Sequence, residues 1–406
     1  MTPTLPPEII VLVAEELSND FSSLKNVSLV CSTWLPPTRP HLFHSVRVTP
    51  PTFPRFLALS SHPLSSFSAS VKCIQLDLLN SLESDSANVL GQSISRLAEI
   101  LDSTVSFRLC NVNFVQVETI ADVLLGNITA AFRNILQLEL DGVSFDSVTQ
   151  TMWFICAFPR VEKVAVRDLV WNDPSGDNDA HHTFRIPSTL MELRLERCYK
   201  RDIMDCLLLQ HPLPIIPRLD VGIVAPEDSW AIGQYIEKVG SHLRDLSLGF
   251  HSLDAGGDAE DFYHACDLGL STELHSIYFK RFISLWEYRL TSAVPWIIRI
   301  LSRISAPAFE TIYFGVHVSH IDQLDPFDLP EDFDWEALDH SLSEIRLPNF
   351  QSVTFLIFIH SLQYGGIHIV DAIEVERLIK VYLPLTWQRG VLRFKTYMKG
   401  PGDEPG

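Results

Sequence analysis

The chain has 406 residues, of which 46% are hydrophobic and 20% are charged, a composition typical of a globular protein with a large buried core. Its formal net charge of −19 at pH 7 disfavours binding to a phosphate backbone, because like charges repel. No run of about 18 apolar residues occurs, so no membrane-spanning segment is predicted. We therefore expect neither a nucleic-acid partner nor membrane insertion.

The cysteines indicate a reducing environment. There are seven of them, an odd number, and no two form a C-x-x-C pair, which predicts free thiols. The N-terminus shows no basic segment followed by an apolar core and a small-residue cleavage site, so no secretory signal is predicted. We expect an intracellular location, either cytoplasmic or nuclear.

Residues 1–48 have the pattern of a small helical module. Pro6 and Pro7, followed by Glu8, predict the start of a first helix, because proline suits a position whose N–H needs no partner and an acid suits the positive end of the helix dipole. Ser22 or Ser23 is expected to cap a second helix. A third helix is expected to be short because it contains three prolines: Pro36, Pro37 and Pro40.

A module of this size cannot bury enough apolar surface to be stable alone. Its large apolar side chains must therefore be covered by the rest of the chain or by a partner. One interpretation is an N-terminal helical cap on the domain that follows.

The motif Leu5-Pro6-x-Glu8-Ile9, followed later in the sequence by Leu29-Val30-Cys31 and Trp34, resembles an F-box. The segment Ser28 to Pro36, with His41-Leu42-Phe43, is similar to F-box proteins abundant in mushroom-forming fungi. In that family the module docks onto the Skp adaptor of a Skp–cullin–F-box ubiquitin ligase. The resemblance thus implies a Skp-type adaptor as partner and, through it, a cullin ligase. By position it implies adaptor contacts at Leu5, Pro6, Ile9, Leu24, Val27 and Leu29, whereas Trp34 also suits the core.

Residues 49–70 are rich in proline and serine and are interpreted as a linker that is partly helical and packed. From residue 71 the pattern apolar-x-x-apolar-x-apolar recurs ten times, at intervals of 26 to 35 residues. Each copy alternates apolar and polar residues, as a strand with one buried face does, and helical patterns lie between the copies. The central anchors are Leu76, Phe107, Leu138, Val164, Leu193, Leu219, Leu246, Ile277, Ile312 and Ile345.

A strand and a helix in each repeat resemble the leucine-rich repeat, with a spacing at or beyond its long end. That repeat usually carries Asn or Cys three positions after the last apolar residue, and here only Cys198 fits. We therefore expect an irregular solenoid without an asparagine ladder. The predicted fold class is α+β: a three-helix F-box, then an irregular α/β leucine-rich-repeat-like solenoid with a parallel concave sheet over 71–397, and a frayed tail over 398–406.

Motifs for catalysis are not apparent: there is no phosphate-binding loop, dinucleotide fingerprint or nucleophile elbow. We therefore predict no enzyme activity, no cofactor and no metal. Two features keep alternatives open. His181-His182, near Asp177 and Asp179, suits a metal site or a solvated loop. Eight acids lie between Asp322 and Asp339, which suits a solvated insertion or a docking strip for a basic partner.

Residues between the buried anchors should face outward on the concave sheet. Mixed charge with aromatic residues suits protein recognition, although an ordinary solvated sheet has the same pattern. The predicted substrate-binding residues are Arg194, Glu196, Asp245, Tyr278 and Tyr313, in an outward set that also includes Glu139, Arg167, Asp220 and Arg346.

Together these features predict a substrate-recognition subunit of a Skp–cullin–F-box ubiquitin ligase, whose protein substrate the sequence does not name. One alternative is a non-ligase F-box scaffold that acts with the Skp adaptor. Another is an enzyme of unrecognised type on the repeat domain.

Overall fold

The computed structural model describes residues 5–18, 20–63, 65–78, 93–115, 118–173, 184–250, 257–284, 293–319, 321–324, 333–360 and 371–399. The chain divides into two compact units, Met1–Leu190 and Met191–Gly406. The predicted module and linker both lie in the first unit, and the repeats continue through both. Among the described helices, none has both the length and the apolar character needed to cross a membrane.

Three short helices open the first unit: α1 (Pro7–Glu16), α2 (Phe21–Ser28) and α3 (Leu35–Leu42). The backbone N–H of Ile9 donates to the carbonyl of Pro6 at 3.1 Å, so α1 begins at the two prolines as predicted. The α2 cap differs from the prediction: Asp20, rather than Ser22 or Ser23, accepts from the Ser23 N–H at 3.0 Å. Helix α3 contacts both α1 and α2 and so holds the module together.

The first unit continues with five parallel strands: β1 (Ser45–Val48), β2 (Cys73–Asp77), β3 (Ser106–Asn113), β4 (Gln137–Ser147) and β5 (Lys163–Asp173). The repeat pattern did not predict β1, which begins three residues after α3 and pairs with β2. The helices of this unit lie at Phe53–Ser60, residues 93–100, Glu118–Ala131 and Val148–Cys156. The first of them lies in the predicted linker.

The second unit has seven strands: β6 (Glu192–Cys198), β7 (Arg218–Val224), β8 (Asp245–Phe250), β9 (Ser276–Ser284), β10 (Thr311–Val318), β11 (Ser352–His360) and β12 (Leu392–Lys399). Each is parallel to the next. Its helices are Lys200–Leu208, Pro226–Val239, Gly257–Ala265, Val294–Ser302, Trp335–Glu344, Ala372–Tyr382 and Pro384–Gln388. Strand and helix alternate in both units, which confirms the predicted α/β repeat. Strand β12 extends to Lys399, past the expected end at 397.

The predicted anchors form one buried column in each unit. Every anchor in the list below is at most 3% exposed, and each faces its neighbours directly across the sheet. Burying such a side chain contributes about 1.5–3 kcal/mol, so the column is a major part of the core. The columns are Ile74, Phe107, Leu138 and Val164 in the first unit, and Leu193, Leu219, Leu246, Ile277, Ile312, Val353 and Leu392 in the second.

Two predicted anchors differ from the observed column. In β2 the residue in register is Ile74, and Leu76 is buried two positions later on the same face. The prediction of the tenth anchor was wrong, because Ile345 lies directly after the helix Trp335–Glu344 and not in a strand. Leu342 and Ile345 are three residues apart, which is also the spacing of one helical turn, so this pattern fits a helix as well as a strand.

Phenylalanine stacking holds neighbouring strands of the second unit together on the buried face. Phe279 stacks on Phe314 at 5.5 Å between ring centroids, Phe314 on Phe355 at 5.2 Å, and Phe355 on Phe394 at 6.1 Å. Such a pair adds about 0.5–1.5 kcal/mol beyond its buried area. Apolar packing of this kind accords with the expectation that the solenoid lacks an asparagine ladder.

Left-handed residues bend three strands of the first unit at the same register position. Asn111, Gly142 and Asp168 have φ values of 52°, 65° and 49°. Asn, Asp and Gly are the residue types that adopt this conformation most readily. A Cβ at Gly142 would also approach Asn111 Oδ1 to 3.0 Å, so glycine keeps the strands close at this point.

Asp339 is a buried structural carboxylate, 2% exposed, at the end of the sequence segment interpreted as a solvated insertion or docking strip. It accepts hydrogen bonds from the N–H of Leu385 at 2.8 Å, and from the N–H and hydroxyl of Thr386 at 2.8 and 2.6 Å. These bonds fasten the short helix Pro384–Gln388 to the helix Trp335–Glu344. Asp339 is therefore part of the core, and the interpretation as solvated surface or docking strip is wrong at this residue.

Replacing Asp339 with Ala should leave two N–H groups without their partner and leave the Thr386 hydroxyl only a long bond, at 3.4 Å, to the main-chain carbonyl of residue 339. Since an unpaired buried group costs about 1–3 kcal/mol, we expect a loss of about 2 kcal/mol or more in the free energy of unfolding. Thermal unfolding followed by circular dichroism should show a melting temperature lower by about 5 °C or more. The control is Glu336→Ala, on the exposed side of the same helix. Equal melting temperatures for the two variants would contradict the structural role of Asp339.

The anchor column makes a second prediction. Leu246→Asp should place an unpaired charge at a site that is 2% exposed, with an expected loss of about 4 kcal/mol or more. Leu209→Asp is the matched control, since Leu209 is 76% exposed. Denaturant unfolding compares the two variants, and a Leu246→Asp protein as stable as the control would show that the strand assignment is wrong.

Candidate functional site

The outward face of the second unit is formed by side chains that alternate with the buried anchors. A depression of about 360 Å³ opens on this face. Register pairing places Arg194, Asp220, Ser247, Tyr278 and Tyr313 side by side in one row across β6 to β10. Of the predicted substrate-binding residues, four line the depression: Arg194, Asp245, Tyr278 and Tyr313. The fifth, Glu196, belongs to the ion cluster beside it.

Ion pairs between neighbouring strands occupy the β6–β8 part of this face. Arg194 Nε lies 3.4 Å from Asp220 Oδ2, and Arg218 Nε lies 3.4 Å from Asp245 Oδ2. Both arginines also approach Glu192, at 3.7 and 3.9 Å. The acids of this part are therefore already paired with bases that belong to the chain itself.

Lys280 completes the cluster and was not among the predicted residues. Its Nζ lies 2.6 Å from Glu196 Oε1 and 2.8 Å from Asp220 Oδ2, and its side chain is only 12% exposed. The signal that could have found it is its position two residues after Tyr278, on the same face of β9. With Lys280 included, the four acids Glu192, Glu196, Asp220 and Asp245 face three bases, Arg194, Arg218 and Lys280.

Two glycines allow strands β6 to β9 to approach closely at the Lys280 cluster. Gly222 has φ 59°, and a Cβ there would approach the carbonyl of Leu195 to 2.7 Å. A Cβ on Gly249 would approach the carbonyl of Lys280 to 2.5 Å. Any larger residue at these positions would push apart the strands that carry Glu196 and Lys280.

Two tyrosines form the other wall of the depression. The rings of Tyr278 and Tyr313 meet edge to face, with centroids 6.3 Å apart. Burial, with further contributions from Asp220, Tyr397 and Glu196, raises the pKa of Tyr278 above its ordinary value, so its hydroxyl stays neutral. The neighbouring Ser247 Oγ is buried and has no hydrogen-bond partner among the described residues. The depression thus presents neutral hydroxyl and ring surfaces beside a paired ion cluster, groups suited to recognition of a polypeptide.

Three residues of the predicted outward set lie elsewhere. Arg346 follows the helix Trp335–Glu344 and donates to the carbonyl of Ser343 at 2.9 Å, so the prediction that it lies on the sheet was wrong. Glu139 and Arg167 lie on β4 and β5 of the first unit, where Arg108 approaches Glu139 at 3.4 Å. Neither residue lines the depression on the second unit.

The helical module exposes many of its large apolar side chains. Leu5 is 55% exposed, Ile9 42% and Leu29 77%, and Pro6 is also exposed. Leu24 is 1% exposed and Val27 is half-buried. The predicted adaptor contact at Leu24 is therefore wrong for this structure, because its side chain lies in the core. Four further exposed apolar residues were not among the predicted contacts: Val11, Leu12, Phe21 and Val30.

The metal-site hypothesis concerned His181, His182, Asp177 and Asp179, which lie outside the described residues. Residues 325–332 of the acidic segment lie outside them as well. Within the described ranges, no group of three or more His, Cys, Asp and Glu side chains could hold a metal ion. All seven cysteines are free thiols.

Lys280 should be important for the stability of the outward face. Lys280→Met would leave Glu196 and Asp220 facing each other without the ammonium group between them. Since breaking a buried ion pair costs about 3–5 kcal/mol and this cluster retains some exposure, we expect a loss of about 2 kcal/mol. Lys238→Met, at an exposed position on the helix Pro226–Val239, is the control. Denaturant unfolding at neutral pH should separate the two variants, and equal stabilities would contradict the importance of the cluster.

Comparison with known proteins finds similarity among solved structures. No protein-family model matches the chain, and no curated protein matches it. Among solved structures, the chain is similar to one in the crystal structure of the Rad7 and Elc1 complex in yeast, with 12% identity and a TM-score of 0.43 over 92% of this chain and 85% of that chain. It is also similar to the leucine-rich repeat domain of the type III effector XopL, with 12% identity and a TM-score of 0.24 over 82% of this chain and 95% of that chain. Because both TM-scores are low, the description of the fold rests on the strand register of the chain itself.

Proposed function

We propose that this protein is a substrate-recognition subunit of a Skp–cullin–F-box ubiquitin ligase. In this proposal the module of residues 1–48 binds a Skp-type adaptor, and the repeat region binds a protein substrate. The observation that carries the proposal is the exposed apolar surface of the module, which is formed by residues of the F-box-like motif.

Helix α1 has one exposed and one buried apolar set. Ile9 and Leu12 are one helical turn apart and are 42% and 55% exposed. Leu5 lies four residues before Ile9, just ahead of the helix. Ile10 and Ala14 are 5% and 0% exposed and lie in the core. Clustered exposed apolar side chains are typical of protein-binding sites, since leaving them in water is unfavourable.

The end of helix α2 adds to the apolar surface. Leu29 directly follows α2 and is 77% exposed, and Val30 is 70% exposed. Both belong to the Leu29-Val30-Cys31 part of the motif. Their exposure therefore supports the adaptor contact that the resemblance implies for Leu29.

The module is attached to the strands of the first unit by direct contacts. Phe43 stacks on Phe67 with centroids 4.9 Å apart. The N–H groups of Lys72 and Cys73 both donate to the carbonyl of His44 at 2.9 Å, and β1 continues from there in register with β2. A partner bound to the module would thus be held firmly against this unit, as an adaptor must be if a ligase is to present its substrate.

The test is capture of a purified Skp adaptor by the full-length protein. Combined replacement of Leu5, Ile9 and Leu29 by Ala should weaken capture by at least about a hundredfold, since each loses roughly 1–2 kcal/mol of apolar contact. Leu59→Ala is the matched control, because Leu59 is 54% exposed on the helix Phe53–Ser60, outside the module. Circular dichroism verifies that both variants are folded.

Three outcomes distinguish the hypotheses. Loss of capture in the triple variant, together with co-purification of a cullin by the wild-type protein, supports the ligase role. Adaptor capture without any cullin favours the scaffold that acts outside a ligase. If the wild-type protein does not bind the adaptor, or if the triple variant binds as strongly as the control, the F-box assignment is wrong.

A further inference from the structure

We propose that the outward face of strands β10 to β12 is a docking surface for an acidic peptide segment that carries an aromatic or aliphatic residue. We call this surface the basic aromatic strip, and it consists of Tyr313, Leu356, Phe358, Arg393, Lys395 and Tyr397. The proposal deepens the proposed function, because it names the class of substrate that the repeat region would recognise.

An aromatic ladder runs across the strip. His317, Phe358 and Tyr397 face one another in register on β10, β11 and β12. The rings of His317 and Phe358 stack at 4.6 Å between centroids, and those of Phe358 and Tyr397 stack at 5.1 Å. His317 is 4% exposed, whereas Tyr397 is 44% exposed, so the ladder runs from a buried ring on β10 to an exposed ring on β12. Partly exposed aromatic rings of this kind are typical anchors for a binding partner.

The charge of the strip is opposite to that of the chain. Strands β10, β11 and β12 contain no Asp or Glu, although the chain has a net charge of −19. Strand β12 carries Arg393 and Lys395, both exposed. Arg393 is held in place by bonds from its Nη1 to the carbonyls of Gly390 and Leu392, at 2.8 and 2.9 Å. The strip therefore presents fixed positive charge beside apolar rings.

Charge complementarity selects an acidic occupant. On β6 to β8 the acids are already paired with Arg194, Arg218 and Lys280, so a basic segment would have to compete with these internal partners. On β10 to β12 no acid competes for the exposed bases within the strands. This arrangement favours an acidic cargo segment on these strands.

The size of the strip sets the length of the segment. Neighbouring strands lie about 4.8 Å apart, so the width from β10 to β12 is about 10 Å. An extended peptide rises about 3.3 Å per residue and crosses this width with three to four residues. One aromatic or aliphatic side chain can then contact Phe358 and Tyr397, while carboxylates on one side of it reach Lys395 and Arg393, which precede Tyr397 on the same face of β12.

The experiment selects peptides from a random 12-residue display library on the full-length protein and measures the affinity of the best peptide by fluorescence anisotropy. The expected peptides contain more Asp and Glu than Lys and Arg, together with at least one Phe, Tyr, Trp or Leu. Affinity should fall at least about tenfold in the Arg393→Glu, Lys395→Glu double variant, since the change removes two attractive contacts and adds repulsion. It should fall about fivefold in Tyr397→Ala, and both losses should coincide with intact circular dichroism spectra.

The control variant is Lys238→Glu, which makes one such charge reversal at an exposed position on the helix Pro226–Val239. It should bind the selected peptide like the wild-type protein. Affinity of the wild-type protein should also decrease as salt rises, because the attraction between exposed charges is screened.

Three results would overturn the proposal: no enriched peptide, enrichment of basic peptides, or equal affinity in the control and the strip variants. Basic residues beside aromatic rings also suit single-stranded nucleic acid, so a 12-nucleotide DNA strand that binds more tightly than the selected peptide would overturn it as well. None of these measurements involves the adaptor. If the protein binds acidic peptides at the strip but does not bind a Skp adaptor, the peptide-site proposal therefore stands and only the proposed ligase role is rejected.

Discussion

Parallel pairing of each strand with the next, in register at one buried anchor, is the constraint on which the rest of each unit depends. Side chains alternate along a strand, so a slip of one residue would exchange the buried set with the outward set. In β8 such a slip would bury Asp245 and Ser247 and expose Leu246. In β8 the penalty for an unpaired buried charge and an exposed anchor thus fixes the register, and the register in turn fixes which residues share the outward face.

The outward face of the second unit has two parts because its strands differ in charge. On β6 to β9, acids and bases alternate closely enough to neutralise one another, and Lys280 joins Glu196 and Asp220 in the least exposed part of the cluster. On β10 to β12, acids are absent, and the rings of Tyr313, Phe358 and Tyr397 share the face with Arg393 and Lys395. An internally paired surface gains little from a charged partner, since each new contact replaces an existing one. The strip has no such competition within its strands.

The helical module and the first unit depend on one another. Three short helices cannot form a stable core alone, and here the pairing of β1 with β2 and the stacking of Phe43 on Phe67 attach them to a larger one. This support allows Leu5, Ile9 and Leu29 to remain exposed without loss of the fold. Support from the repeats had been one of two alternatives for the module, and it is compatible with a partner on the exposed side.

Local patterns determined much of this protein. The apolar spacing located β2 to β10, and the two prolines located the start of α1. Local patterns gave a wrong prediction at Ile345, where the same spacing of apolar residues fits a helix and a strand. They gave no prediction for β1, which is short and carries no full repeat motif. The tertiary structure alone decided which charges meet. Lys280 and Glu196 are 84 positions apart in the chain, and Asp339 reaches Thr386 across 47 positions. Alternation and helical periodicity are properties of neighbouring residues, so they are visible in the sequence. Ion pairs and buried carboxylate contacts join distant residues. The Lys280 pairs depend on strands that stack in register and approach closely at Gly222 and Gly249, and the Asp339 contacts depend on the packing of two helices.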